Sequence, residues 1–373
     1  MNRTHVCLVS DQPVPNLTTV LQFRPDLVIL LVTTDKKAEG TRLKSVIEAR
    51  GIPVEERSVE PYDLNSVLEA SEDIIKKFRD HELSLNITGG TKIGTVGTFQ
   101  SFYTAGRPIY YVDTRDSTIL QISPQESRVP IDVSIPVVDY LRVYGFNVEN
   151  YLKDDGPVFR RKDITGLLLD LAIGEPKLLG ALNYSLQKLE NMQYPLDAML
   201  PDSPCIAVIA ELLADRGFAK VKGRGYITLP SEEITVYLKG GWLEEYVYTT
   251  AKALNRGEVR MNVEGKWEGR VKHLPKNEFD ILISYSNQLF LLSCKTSDPN
   301  RNADGAGETI AKEYIYELIS LGDRALGLFG KKALVSARVL NPYVRDRASV
   351  LKIPVIEGKN IITLKSVLKS WMT

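Results

Sequence analysis

Apolar and polar residues over the first 125 positions fall into two patterns that alternate along the chain. Short apolar runs predict five strands, at Val6–Ser10, Leu27–Thr33, Val54–Ser58, Leu83–Ile87 and Ile109–Val112. Between these runs, apolar side chains recur at helical spacing, most clearly across 43–47 and 64–78. Alternating strands and helices are typical of a parallel sheet covered on both faces, so we expect a Rossmann-like domain.

The alternating region ends in a strand pair, which is followed by mostly helical chain. Ile109–Val112 and Thr118–Ile122 predict a hairpin, and an apolar helix is expected near Pro136–Tyr144. The segment Gly145–Pro157 is rich in Gly, Asn and Asp, which predicts a connection between domains. Leu-rich residues 160–215 indicate helices that form either a winged-helix-like unit or a helical spacer.

From Tyr226 onward, the pattern predicts a second α/β domain. A helix is expected from Gly240 to about Asn255, and the order that follows completes α-β-β-β-α-β, a mixed sheet flanked by helices. The remaining elements are predicted at Glu258–Val263, Glu278–Ser284, Gln288–Cys294, Thr309–Leu321, Ala333–Ser336, Tyr343–Leu351 and Val355–Ile356. The predicted domains are residues 1–145, 146–225 and 226–373.

Composition narrows the class of protein. The 373 residues are 43% hydrophobic and 25% charged, which is ordinary for a globular protein of two or three domains. No apolar run reaches membrane-spanning length and no signal-peptide pattern is found, so we expect a cytoplasmic protein without a membrane partner. The formal net charge is zero, with a slight basic excess in the C-terminal half that permits nucleic-acid binding without requiring it.

Cysteine and histidine are too sparse for several kinds of site. The chain holds only Cys7, Cys205, Cys294, His5, His81 and His273. Their wide separation argues against a disulfide framework, a structural zinc site and a histidine-rich metal site. We therefore expect carboxylates to do most of any metal chemistry.

The loops after the first, second and fourth strands carry the candidate ligand-binding residues. Loops that follow parallel strands gather at the carboxyl edge of the sheet, where ligands bind in this class of fold. The candidates are Ser10, Asp11, Gln12, Thr33, Thr34, Thr88, Gly89, Gly90, Thr91 and Lys92. Glycines, hydroxyls, a helix N-terminus and one lysine suit a phosphate, although a tight turn with a helix cap explains the Thr88–Lys92 segment about equally well.

The segment Asn277–Lys295 predicts two strands joined by a short turn. Because side chains alternate between faces, Asp280 and Lys295 are expected to converge at one edge, with Ser293 on the same face as the lysine. An acid and a lysine placed in this way suit metal-assisted phosphodiester cleavage. The alternative is an exposed ion pair on the sheet.

An acid on the predicted helix from Gly240 to Asn255, followed by Asp280 on one strand and Lys295 on the next, resembles the pattern of the PD-(D/E)xK nuclease fold. The resemblance implies Glu244, with Glu245 as substitute, and Asp280 as ligands of Mg²⁺ or Mn²⁺, Lys295 as the catalytic lysine and the backbone carbonyl of Cys294 as a further metal ligand. Ser293 stands where that family has a second acid, so metal affinity is expected to fall unless another carboxylate compensates. The candidates for compensation are Glu278, Asp298 and Glu308.

The N-terminal half resembles a CARF domain, the sensor of cyclic oligoadenylates in type III CRISPR defence. The residues that carry the resemblance are the Ser10-Asp11 loop and Asn86–Lys92. Together with GGWLEEYV and SCKT, the chain resembles the stand-alone CRISPR ancillary nucleases. The family implies a homodimer that binds cyclic tetra-adenylate across its two-fold axis and then cuts DNA or RNA with little sequence preference.

Two other functions stay open at this stage. One is a ligand-gated transcription regulator whose nuclease domain has lost catalysis, an alternative that Ser293 favours and the lack of a basic recognition helix disfavours. The other is a ring nuclease that cleaves its own activator, in which the C-terminal domain is accessory.

Overall fold

The computed structural model describes residues 1–187, 189, 193–223, 225–269, 275–300 and 310–372. Thr309, His273 and Glu308, which entered the predictions above, lie outside them. None of the described helices is long and apolar enough to cross a membrane.

The N-terminal domain is built on a seven-stranded sheet in the order β3-β2-β1-β4-β5-β6-β7. Its strands are β1 (Arg3–Leu8), β2 (Leu27–Val32), β3 (Val54–Ser58), β4 (Glu82–Asn86), β5 (Ile109–Asp113), β6 (Thr118–Ser123) and β7 (Ser127–Pro130). The first five are parallel, β6 pairs antiparallel with β5, and β7 pairs antiparallel with β6. Helices α1 (Val14–Phe23), α2 (Lys37–Glu48), α3 (Leu64–Lys77) and α4 (Lys92–Thr104) connect the parallel strands. The predicted Rossmann-like arrangement is confirmed.

Between the two sheets the chain is largely helical. It contains α5 (Val137–Val143), β8 (Phe146–Asn150), α6 (Gly156–Arg160), α7 (Lys162–Gly174), α8 (Pro176–Gln187), β9 (Leu196–Met199), α9 (Pro204–Asp215), β10 (Lys220–Gly223) and β11 (Tyr226–Leu229). Strands β9, β10 and β11 form a small antiparallel sheet. The Leu stripes of α7 and α8 are buried or partly buried against one core cluster, as expected of core positions.

The C-terminal domain has a six-stranded mixed sheet in the order β16-β15-β14-β13-β12-β8. Its elements are α10 (Glu232–Val236), α11 (Trp242–Lys252), β12 (Glu258–Trp267), β13 (Asn277–Tyr285), β14 (Gln288–Lys295), α12 (Ile310–Ala325), β15 (Lys331–Ser336), α13 (Pro342–Val350), β16 (Val355–Glu357) and α14 (Leu364–Trp371). The predicted α-β-β-β-α-β order is observed.

Strand β8 differs from the sequence prediction, which placed a connection there. It pairs with β12 and extends the C-terminal sheet by one edge strand. Only Phe146 in this strand is fully buried, so its pattern is too polar to predict a strand, and the pairing with β12 provides the backbone hydrogen bonds instead.

The two large domains share one hydrophobic core cluster. It includes Val14 and Leu17 of the N-terminal domain, Tyr140 of α5, and Phe279 and Leu289 of the C-terminal sheet. Burial of apolar side chains from both halves in one cluster packs the β13–β14 hairpin directly against the N-terminal domain.

Candidate active site and ligand cavity

Asp280 lies on β13 beside the end of β14. Its Oδ2 accepts hydrogen bonds from the backbone N–H of Cys294 at 2.6 Å and from Ser293 Oγ at 3.1 Å. No described residue donates to its other oxygen, Oδ1. The carboxylate is thus fixed by the neighbouring strand, with one oxygen left for a further partner.

Lys295 approaches this carboxylate from the end of β14. Its ammonium lies 4.0 Å from Asp280 Oδ2, 3.4 Å from Glu317 Oε2 and 5.3 Å from the ring centroid of Tyr314. Burial lowers the pKa of Lys295, but the charges of Asp280 and Glu317 outweigh this effect and raise it. The predicted convergence of Asp280 and Lys295 is observed, and the lysine stays charged.

Glu317 and Tyr314 were missed by sequence reasoning. Both stand on α12, one turn apart, on a helix whose pattern predicts only an apolar core face. No motif marks their polar side chains as partners of a lysine on another element.

Glu244 reaches the site from the start of α11, where the helix is preceded by a π-helical turn, Tyr237–Gly241. A Cβ at Gly240 would overlap Thr296 Oγ1, so only glycine allows this turn to approach the residue after Lys295. Thr296 Oγ1 donates to the Lys239 carbonyl at 3.3 Å, which joins the helix start to the end of β14.

Three carboxylates crowd this edge of the sheet. Burial first, then the charges of Asp280 and Glu278, raise the pKa of Glu244 to about 8. Burial also raises the pKa of Asp280, against the opposing effect of Lys295, and burial and Asp280 together raise the pKa of Glu278. A divalent cation would relieve this repulsion, because carboxylates and a carbonyl are the oxygen donors that Mg²⁺ and Mn²⁺ prefer.

The donor set therefore fits such a cation, although the described part of the chain contains no group of three or more His, Cys, Asp or Glu side chains arranged as a metal site. Glu244 and Asp280 would supply carboxylates. Cys294 is buried and its N–H is used by Asp280, so its carbonyl is the backbone group through which it would contact a cation. Of the candidates for compensation, Glu278 lies near enough for its charge to raise the pKa of Glu244, whereas Asp298 is paired with Arg338 at 3.8 Å.

Glu245, the substitute for Glu244, has a different place in the structure. Its side chain is buried and paired with Arg161, whose Nε lies 2.9 and 3.0 Å from the two carboxylate oxygens. Arg161 also binds Glu233 at 2.8 Å. This ion pair connects α11 to the α6–α7 junction. Of the two neighbouring acids on α11, Glu244 is therefore the one that faces Asp280.

A cavity of about 440 Å³ lies at the carboxyl edge of the N-terminal sheet. Of the predicted ligand residues, Ser10, Asp11, Gln12, Thr88, Gly89 and Gly90 line it. A Cβ at Gly89 would lie 2.5 Å from the Leu8 carbonyl oxygen, and Gly90 has a φ of 88°. Glycine at both positions lets the loop pack against the end of β1, a constraint that the tight-turn alternative explains without a ligand.

Other predicted ligand residues lie outside the lining of this cavity. Thr91 caps α4 and donates to the Pro61 carbonyl, Thr33 donates to Asp35, and Thr34 and Lys92 are exposed elsewhere. Thr88 lines the cavity, but its hydroxyl donates to Asn86 Oδ1 and accepts from the Val112 N–H. Asp11 binds Lys36 at 2.8 Å.

The cavity has walls that sequence reasoning missed. These residues are Tyr111, Asp113, Thr114 and Arg115 of the β5–β6 hairpin, Tyr140 and Tyr144 of the α5 region, and Asn287, Leu328 and Phe329 of the C-terminal domain. The β5–β6 turn was predictable, because β5 is parallel to β4 and ends at the same edge. The C-terminal residues were not, because only the packing of the two domains brings them there.

Family comparisons match both halves. A family model described as Card1 CARF domain matches residues 4–140, and one described as Card1-like, endonuclease domain matches residues 231–373. The chain joins a Card1-type CARF domain to a Card1-like endonuclease domain. The predicted family, with a sensor domain followed by a nuclease domain, is confirmed. None of the curated proteins matches the chain.

Solved structures are similar to the chain over most of its length. Protein VC1899 from Vibrio cholerae is 22% identical, with a TM-score of 0.85, and covers 99% of this chain and 98% of its own. Can2 from Sulfobacillus thermosulfidooxidans, solved in complex with cyclic tetra-adenylate, is 25% identical, with a TM-score of 0.78 and coverage of 100% and 97%. A type III CRISPR defence DNA nuclease activated by cyclic oligoadenylate is 18% identical, with a TM-score of 0.56 and coverage of 91% and 46%.

Proposed function

We propose that this CARF nuclease is activated by cyclic tetra-adenylate and hydrolyses DNA or RNA phosphodiesters with Mn²⁺ or Mg²⁺ in type III CRISPR defence. The convergence of Glu244, Asp280 and Lys295 at one end of the β13–β14 hairpin carries this proposal. The complex of Can2 with cyclic tetra-adenylate supports the choice of activator.

The cavity at the carboxyl edge of the N-terminal sheet is the proposed activator site. Backbone amides at Gly89 and Gly90, the Ser10 hydroxyl and the Arg115 guanidinium suit the phosphates of a cyclic oligonucleotide. Tyr111 offers an aromatic face for a base. The family implies that two copies of the chain share one activator, so each cavity would hold half of it.

At the catalytic site, each residue has a role that its contacts support. Glu244, Asp280 and the Cys294 carbonyl would hold the cation, which supplies Lewis-acid chemistry at the scissile phosphate. Ser293 and the Cys294 N–H fix the Asp280 carboxylate. The charged ammonium of Lys295 stabilises negative charge that develops on the phosphate oxygens. With contacts chiefly to phosphates, little sequence preference is expected.

The proposal is tested by incubating plasmid DNA and single-stranded RNA with the protein and Mn²⁺, with and without cyclic tetra-adenylate. We expect activator-dependent cleavage that Lys295→Ala abolishes and that Lys365→Ala, at an exposed position on α14, leaves unchanged. Cleavage at the same rate with and without activator, or no cleavage of either substrate, would contradict the proposal. Consumption of the activator in the same tube would assign a ring nuclease activity instead.

A further inference from the structure

The β13–β14 hairpin, which carries the proposed catalytic residues, also reaches the ligand cavity. Strands β13 and β14 carry Asp280 and Lys295 at one end, and the turn at their other end places Asn287 in the cavity wall. Asn287 is seven positions after Asp280, a span of about 23 Å along an extended strand. The hairpin is therefore a continuous connection between the two sites.

Asn287 is held tightly to the N-terminal domain. Its side chain is only 1% exposed, and its φ of 56° is a left-handed conformation that asparagine tolerates well. Its Oδ1 accepts from the Ile135 N–H at 2.9 Å, and its Nδ2 donates to Thr18 Oγ1 on α1 at 3.1 Å. Asn287, in a turn of the nuclease domain, thus forms hydrogen bonds with α1 of the sensor domain and with Ile135 in the segment that follows that domain.

Helix α12 forms a second connection of the same kind. Its middle contributes Glu317 and Tyr314 to Lys295, and the segment after its last residue, 326–329, returns to the cavity. There the Leu326 carbonyl accepts from Tyr140 Oη at 3.1 Å. A Cβ at Gly327 would overlap the hydroxyl of Tyr144, the residue that donates to Gln12 Oε1 at 3.1 Å. The segment therefore packs against a residue that lines the activator site.

We propose that Asn287 is a positioning residue that couples activator binding to the geometry of Asp280 and Lys295. The inference rests on the proposed function, because it assigns how the same cavity regulates the same catalytic site. An activator in the cavity contacts a wall that belongs to the nuclease domain, so the position of the hairpin turn changes the binding free energy. The activator then favours the hairpin arrangement that it binds more tightly.

Asn287→Gly tests this role, because glycine keeps the positive φ and removes only the side chain and its two hydrogen bonds. Ser286→Gly is the matched control, since Ser286 has a φ of 48° in the same turn. Thr18→Val removes the acceptor on α1 without changing the turn. Activator affinity, cleavage rate with saturating activator, and cleavage rate without activator are measured for each variant and for the double variant Asn287→Gly/Thr18→Val.

We expect the ratio of activated to unactivated cleavage to fall roughly tenfold in Asn287→Gly and less in Thr18→Val, within the range of about 5- to 150-fold typical of coupling between sites. Ser286→Gly should keep the ratio of the native chain. The double variant should lose no more than Asn287→Gly, because both changes remove one shared contact.

An unchanged ratio in both Asn287→Gly and Thr18→Val would overturn the coupling role while leaving the proposed function intact. A native chain that shows no activator-dependent cleavage would overturn both. If Asn287→Gly does not fold, as judged by its thermal melt, Thr18→Val decides the question.

Discussion

Glu317 Oε2 lies 3.4 Å from the ammonium of Lys295, so this lysine is held from α12 as well as from its own sheet. Glu317 is more than half exposed, and exposed ion pairs contribute little to the free energy of unfolding. The contact matters instead for where the ammonium rests. Between Glu317 and Asp280 the lysine has two acidic partners, and only Asp280 belongs to the proposed metal site.

Glu317→Gln should slow activated cleavage while leaving stability nearly unchanged. We expect a decrease of roughly fivefold, the rate equivalent of about 1 kcal/mol, because the ammonium is less firmly placed. Glu313→Gln, one turn earlier on α12 and exposed, is the control. Steady-state cleavage rates and melting temperatures of both variants distinguish an effect on catalysis from an effect on stability. Native rates in Glu317→Gln would show that Asp280 alone places the lysine.

Arg115→Ala should weaken activator binding more than Lys92→Ala does. The sequence pointed to Lys92, but its side chain is exposed outside the cavity, whereas Arg115 lines it. Charge-assisted contacts to phosphate act at short range, so we expect roughly a tenfold increase in the activator dissociation constant for Arg115→Ala and under threefold for Lys92→Ala. Isothermal titration with cyclic tetra-adenylate measures both. If Lys92→Ala weakens binding more than Arg115→Ala does, the phosphates of the activator bind at the start of α4 instead.

The sequence predicted those parts of the protein that local patterns determine. The strand-loop-helix order placed Ser10 and Gly89 at one edge, and strand alternation placed Asp280 beside Lys295. Contacts between distant elements left no local signal. Arg161 pairs with Glu245 across 84 positions, and Asn287 meets Thr18 across 269. The choice between Glu244 and Glu245 likewise depended on which face of α11 packs against the sheet.

Stability of the metal-free chain should fall as pH rises, because of Glu244. Its pKa is raised to about 8 in the folded chain from an ordinary value of 4.5, so the folded state binds the proton more tightly than the unfolded state. The stabilisation by that proton is complete below pH 4.5 and is lost as pH rises through 8. In EDTA, Glu244→Gln should therefore match the native chain at pH 5 and exceed it at pH 9 by on the order of 2 kcal/mol.

Denaturant unfolding at the two pH values measures this difference. The neighbouring variant Glu245→Gln is the control and should destabilise at both, because it weakens the buried pair with Arg161. Mn²⁺ at pH 9 should stabilise the native chain more than Glu244→Gln. A stability gap between native chain and Glu244→Gln that does not change with pH would contradict the crowding of carboxylates at this site.

Ser293→Asp should lower the stability of the protein in EDTA and raise its affinity for Mn²⁺. Ser293 is buried, and its hydroxyl lies 3.1 Å from Asp280 Oδ2, so an aspartate there adds a like charge beside a carboxylate whose pKa is already raised. We expect a lower melting temperature in EDTA, restored by Mn²⁺, and a decrease of roughly tenfold in the Mn²⁺ concentration for half-maximal cleavage.

Ser297→Asp adds the same charge two residues after Lys295, where the hydroxyl contacts Tyr314 instead of Asp280, and should leave the Mn²⁺ dependence unchanged. If Ser293→Asp melts as the native chain does in EDTA and needs as much Mn²⁺, a further acid such as Glu278 already completes the metal site. Ser293 would then serve only to orient Asp280 through its hydrogen bond.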